Sequence, residues 1–145
     1  MDVGSESRNR GDTIPGASMI VLRRDAVLLV ERSRKPSKGL WSFPAGRAEP
    51  GEEPEANARR ELFEETRLTV GPVVRLGVFR PPADPQFLIT VFAARAGAGV
   101  PKAGDDAAQA EFVPWPKVLD RPLTPRAPAW IARAISALSG LPRVE

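Results

Sequence analysis

Apolar residues along the chain fall into short runs, separated by charged or proline-bearing breaks. Ser18 to Leu22 and Ala26 to Val30 are two such runs with Arg23-Arg24-Asp25 between them, which predicts two strands joined by a short turn. Arg32 to Gly39 is basic and broken by Pro36 and Gly39, so it reads as a loop. Leu40 to Phe43 is a short strand ended by Pro44, after which Ala45 and Gly46 turn the chain. From Pro54 to Thr66 the period becomes helical, with Ala58 and Leu62 as the apolar stripe. Pro54 suits a first helical position, where its missing N–H costs nothing, and Glu52, Glu53 and Glu55 favour the positive helix start.

Beyond the helix, Val73 to Phe79 reads as a strand, followed by the proline-rich break Arg80 to Pro85. Phe87 to Ala94 is apolar enough for a strand buried on both faces. Ala96 to Ala108 is built of small residues and carries Asp105-Asp106; Glu111 to Val113 is a short strand. Pro114-Trp115-Pro116 opens a turn or short helix that runs to Leu119. Arg126 to Leu138 is a second helix with Ile131, Ile135 and Leu138 on one face. Strands, helix, strands, helix is the order of an α/β protein whose mixed sheet packs between helices. No repeat breaks the chain, so the expectation is a flexible tail over residues 1–13 and a single domain over 14–145.

Composition narrows the chemistry. The 145 residues suit one domain with a sizeable core. There is no cysteine and no histidine. Disulfides, thiolate sites, a Ser–His pair and the usual zinc ligands are therefore excluded. Acid–base or metal chemistry must fall to Asp, Glu, Lys or backbone oxygens, and oxygen donors favour hard ions such as Mg²⁺ or Mn²⁺. Of the 21 basic residues, all but Lys35, Lys38, Lys102 and Lys117 are arginine, the residue that grips phosphate with a planar fork. The charges are scattered, which does not suit a nucleic-acid stripe. No apolar run approaches the ~18 residues of a membrane span. The expectation is a cytoplasmic protein without nucleic-acid or membrane partners.

One cluster stands out against this background. At about 100° per residue, Glu61, Glu64 and Glu65 fall within an arc of roughly 100°. Like charges at these spacings repel, and at a helix C-terminus the dipole disfavours them further. A cation held against the arc would justify the arrangement.

Gly46, Glu52 and the run Arg60-Glu61-Leu62-Phe63-Glu64-Glu65-Thr66-Arg67-Leu68 give the spacing Gly-x5-Glu-x7-Arg-Glu-apolar-x-Glu-Glu-x-x-apolar. This resembles the Nudix box, matching eight of its nine specified positions. A chance match at a given start is on the order of 10⁻⁸. The departure is Arg67, where the family has a glycine to end the helix in a left-handed conformation. Arginine there costs about 1 kcal/mol or ends the helix differently, so an altered cap is expected rather than lost chemistry.

The resemblance implies an α/β/α sandwich and a hydrolase that cleaves a diphosphate linkage in a nucleoside diphosphate derivative. By resemblance, Glu61, Glu64 and Glu65 hold Mg²⁺, with Mn²⁺ as a substitute, joined by the Ala45 carbonyl. Catalytic roles fall to Glu61 and Glu64 and to a downstream acid, for which Asp106 is the candidate, with Asp105 behind it. Gly46, Glu52 and Arg60 are structural parts of the box, with Glu52 and Arg60 pairing across loop and helix. Arg32 and Arg47 are the candidates for substrate phosphates; Arg34 and Lys38 stand beside them and read better as a solvated loop. Trp41, Phe43, Phe79 and Phe87 read as core ahead of nucleoside contacts.

ADP-ribose hydrolases of the family tend to carry a proline one place from where Pro85 stands, and the Pro44-Ala45-Gly46 triplet also looks like theirs. That leans the expectation to ADP-ribose or a related nucleotide sugar. Hydrolysis of oxidised nucleoside triphosphates and nucleotide binding without turnover stay open, as does a homodimer.

Overall fold

The computed structural model describes residues 13–35, 37–104 and 107–140. Seven strands form one sheet among them: β1 (Ile14–Leu22), β2 (Ala26–Arg32), β3 (Trp41–Ser42), β4 (Ala45–Arg47), β5 (Val70–Phe79), β6 (Phe87–Ala96) and β7 (Ala107–Pro114). The helices are α1 (Pro54–Thr66), α2 (Trp115–Val118) and α3 (Ala127–Ser139). The central path runs β3-β2-β1-β6-β5, with β4 added to β1 and β7 to β2. The β1–β6 pair is parallel along its whole length, from Ile14↔Phe87 to Leu22↔Arg95, and the other pairs are antiparallel, so the sheet is mixed.

Strand alternation divides the core in two. Ala17, Met19, Val21 and Leu28 point to one face and bury Ala58 and Leu62 of α1. Ile20, Leu22, Val27 and Leu29 point to the other and bury Trp130, Ile131, Ala134 and Leu138 of α3. The result is an α/β/α sandwich. Among the described residues no helix is long and apolar enough to cross a membrane.

α1 occupies the span read from its sequence, with Pro54 at its start. Its last turn closes on Arg67, whose N–H donates to Phe63 O at 2.8 Å in a left-handed conformation (φ 65°). The expected altered cap is thus the ordinary left-handed one, adopted by arginine where glycine would be unstrained.

Other elements differ from the sequence reading at particular points. Ala45 and Gly46, read as a turn, belong to β4, because Ser18 and Ala17 of β1 offer them a free edge. Backbone pairing also extends β1 back to Ile14, β5 back to Val70 and β7 over Ala107–Pro114, and makes Arg32 the last residue of β2 rather than a loop residue. On α3 the buried stripe is Ala127, Trp130, Ile131, Ala134 and Leu138, while Ile135 is 46% exposed. The pattern i, i+3, i+4, i+7 of small and large residues places Ile135 outside the seam. Residues 1–12 of the expected tail lie outside the described residues; Ile14 already begins β1.

Candidate active site

α1 packs Ala58 and Leu62 on the sheet, and its C-terminal half brings the Glu61 carboxyl against β4. There the backbone of Gly46 and the Glu61 carboxyl meet. A Cβ on Gly46 would stand 2.2 Å from Glu61 Cδ and 2.3 Å from its Oε2. The glycine is required by close approach, since its φ is not positive. Gly16 on β1, one register place from Gly46, meets the same constraint: a Cβ there would lie 2.8 Å from Gly46 O. Sequence reasoning passed over Gly16, which has no motif to mark it.

Arg60 ties the parts together. Its Nε and Nη2 donate to the two carboxylate oxygens of Glu52 at 2.8 and 2.9 Å, a two-pronged grip. Nη2 also donates to Arg47 O at 2.9 Å. Nη1 donates to Glu61 Oε2 at 3.1 Å and to Glu64 Oε1 at 3.1 Å. Glu52 accepts further from the Glu49 N–H at 3.0 Å. Loop and helix are thereby fastened at one guanidinium. Asn57, fully buried, adds Nδ2 hydrogen bonds to Gly46 O and Arg47 O at 3.3 and 3.5 Å. Asn57 is another residue the sequence reading missed, since its position in the motif is unspecified.

The carboxyls respond to these surroundings in opposite directions. Arg60 and the Glu49 N–H hold Glu52 below its usual range, and Glu52 in turn raises the Arg60 guanidinium. Burial raises Glu61 against the pull of Glu65 and Arg60. Glu65, 8% exposed, is pushed up to about 9 by burial first, then by its hydrogen bond to Glu61 and the Glu61 charge. A backbone hydrogen bond with Ala45 and the charge of Arg32 oppose that rise. Glu61 and Glu65 thus face each other in a desolvated place that disfavours charging both carboxyls at once.

Among the described residues no three acidic side chains converge on one point, because Glu64 turns to Arg60. The donor set nevertheless fits a hard divalent ion. The buried Glu65 carboxyl and the partly buried Glu61 carboxyl crowd together beside the Ala45 backbone, and the third, Glu64, is a 36%-exposed side chain on the same helix face. Asp105 and Asp106 lie outside the described residues. The segment before them is anchored on α1: Lys102 N donates to Thr66 O at 2.9 Å and Gly104 N to Glu65 O at 3.1 Å.

Beside β4 opens a cavity of about 200 Å³, whose lining meets the acids through Ala45 and Gly46. Arg32, Ala45, Gly46 and Arg47 line its acid side. Phe79, Phe87, Trp130 and the proline loop at Pro81 and Pro82 line the rest. Phe79 and Phe87, read as core, are half-buried and face both the core and the cavity. Trp41 and Phe43 are buried, Phe43 at the cavity floor. Arg32 Nε is buried and has no hydrogen-bond partner among the described residues. Arg47 lies 5.9 Å over the Phe87 ring. Trp130, Thr124 and Pro125 enter from the C-terminal region, and nothing local in their sequence marks them as site residues.

A mixed sheet between two helices, with an acid-bearing helix beside a glycine strand and an aromatic cleft, defines a recognisable class of α/β/α domain. A model of the NUDIX domain matches residues 12–134, and the chain belongs to that family. It is 38% identical over 96 residues to an ADP-ribose pyrophosphatase of Methanocaldococcus jannaschii, covering 64% of this chain and 57% of that one. It is 38% identical over 84 residues to the 8-oxo-dGDP phosphatase NUDT18 of Mus musculus, covering 58% of this chain and 25% of that one. The matches thus span less than two thirds of these relatives. The NUDIX domain of Shewanella oneidensis NrtR, solved with ADP ribose, superposes with a TM-score of 0.77 over 87% of this chain and 88% of its own, at 21% identity, a likeness of fold.

Proposed function

We propose that this chain hydrolyses the diphosphate linkage of a nucleoside diphosphate derivative, with ADP-ribose or a related nucleotide sugar as the leading substrate. The observation that carries the reading is the Glu61–Glu65 carboxyl pair, set against Gly46, which also lines an aromatic cleft. Glu61, Glu64, Glu65 and the Ala45 carbonyl would hold Mg²⁺ or Mn²⁺. A bound divalent ion supplies charge neutralisation for the diphosphate oxygens and acidifies water.

The chain's own residues do the rest. Arg32 and Arg47 grip the phosphates, two cations at the junction of acids and cleft. Phe79, Phe87 and Trp130 receive the nucleoside and keep water from it. Glu64 accepts a proton as water attacks one phosphorus and the bridging P–O bond breaks; Asp106 is the alternative acceptor. Glu52 and Arg60 keep the loop on the helix while Glu61 stays in place.

The name of the Methanocaldococcus jannaschii relative and the proline loop at the cleft support ADP-ribose. The name of the mouse relative supports a second reading, an oxidised nucleotide. Incubation with ADP-ribose, 8-oxo-dGDP, dNTPs and nucleotide sugars plus Mg²⁺, followed by chromatography, ranks them. Tight binding without turnover would convert the reading to a nucleotide sensor.

A further inference from the structure

The floor of the cleft carries a hydroxyl that the catalytic reading does not use. Ser18 is 4% exposed on β1, with its backbone in register with Ala45 on one side and Val91 on the other. By strand alternation its side chain faces the α3 layer, with Ile20 and Leu22. Its neighbours at the cavity floor are Phe43 and Ile89. Ser18 Oγ is buried and has no hydrogen-bond partner among the described residues. Ser42, close by on the same floor, donates its proton to Phe43 O at 3.3 Å. A buried hydroxyl without a partner is costly, and alanine would serve the strand equally well.

The walls above this hydroxyl are flat rings. Phe79 and Trp130 stand with centroids 5.5 Å apart and tilted by 46°. Phe87 also lines the cavity, under Arg47. Ser42, Asp84 and Thr124 also line the cavity, but Ser18 carries its buried hydroxyl without a partner. Aromatic walls near such a hydroxyl suit a planar heterocycle held by its faces and read at one edge. We propose that Ser18 is a specificity-determining residue whose hydroxyl hydrogen-bonds the polar edge of the substrate's nitrogen heterocycle. This rests on the reading of the cleft as a nucleotide site. It assigns the base to the aromatic part of the cavity on the α3 side of the sheet, with the diphosphate toward Ala45, Gly46 and Arg47.

Steady-state kinetics of wild type and Ser18→Ala test it, using whichever of ADP-ribose and 8-oxo-dGDP the wild type turns over. KM rises about fivefold to tenfold, the loss of one neutral hydrogen bond, while kcat stays within about twofold. Ribose 5-diphosphate, which has the diphosphate but no base, inhibits both proteins equally. The melting temperature of the variant equals or exceeds that of wild type. An unchanged KM overturns the proposal, and so does an equal loss of affinity for ribose 5-diphosphate. A lowered melting temperature without a KM change assigns the hydroxyl to the fold instead. If wild type cleaves neither nucleotide, the functional reading fails separately, and calorimetry with ADP-ribose decides on Ser18. Weaker binding by the variant supports it; equal binding or none by either protein overturns it.

Discussion

Replacing Gly46 with alanine separates the fold from the chemistry. The new Cβ would meet Glu61 Cδ at 2.2 Å and its carboxylate oxygens at 2.3 and 2.4 Å. Such contacts must open to about 3.2–3.4 Å, so the carboxyl has to retreat by about 1 Å. The atoms in the way are the end of a flexible side chain, which can move without unfolding α1. Gly46 has no positive φ, so alanine brings no backbone strain and restricts the unfolded chain slightly. Against this, Glu61 gives up its 3.1 Å bond from Arg60, a partly exposed pair of about 0.5–1 kcal/mol. The two effects nearly cancel, and the melting temperature should move by no more than about 3 °C. Activity should suffer far more, since a displacement of about 1 Å at a reacting centre costs about 100-fold. Thermal melts and Mg²⁺-supported turnover of ADP-ribose measure the two sides. A variant that retains full kcat would refute the placement of Glu61 in the chemistry. A variant that unfolds would mean that the glycine serves the sheet.

Three further changes probe the surrounding parts. Arg60→Lys keeps the charge but loses the fork on Glu52, so stability should fall by about 1–2 kcal/mol, or about 3–6 °C, with turnover reduced; an unchanged melt contradicts the fastening role. Glu61 and Glu65 are both raised above the usual carboxyl value in the folded chain, so their contribution to stability is present at acid pH and is lost as pH rises, for Glu65 through about 9. Glu65→Gln should therefore melt higher than wild type at pH 8 without divalent ions, and the stabilisation of wild type by Mg²⁺ should grow from pH 6 to pH 8 while that of the variant stays small. Equal melts at pH 8 would place Glu65 in a better-solvated site. Arg67→Gly relieves the left-handed strain of about 1 kcal/mol at the price of a 5.5 Å contact with Phe63, so it should melt at the same temperature or slightly higher with activity within twofold; lost activity would show Arg67 acting through the adjoining Gly104 segment.

Local chemistry made the box legible. Pro54 and the residues after Thr66 delimit α1, and the fixed spacing of Gly46, Glu52, Arg60 and the three acids survives as a set of short contacts. The cleft was less legible because it is assembled from distance. The parallel β1–β6 pairing brings Ser18 beside Val91, and α3 brings Trp130 against Phe79; neither pairing leaves a local pattern. Ala45 and Gly46 carry turn-like residue types, yet edge pairing with β1 makes them strand. Ile135 is apolar yet 46% exposed, because the small Ala134 beside it takes the position against the sheet.

The most direct test of the account is ³¹P NMR of ADP-ribose with Mg²⁺, run with wild type and with Glu61→Gln. Wild type should convert it to AMP and ribose 5-phosphate, and the variant should do so at least about 100-fold more slowly. Equal rates for the two proteins, or no cleavage of ADP-ribose, 8-oxo-dGDP or a nucleotide sugar with either Mg²⁺ or Mn²⁺, would contradict it.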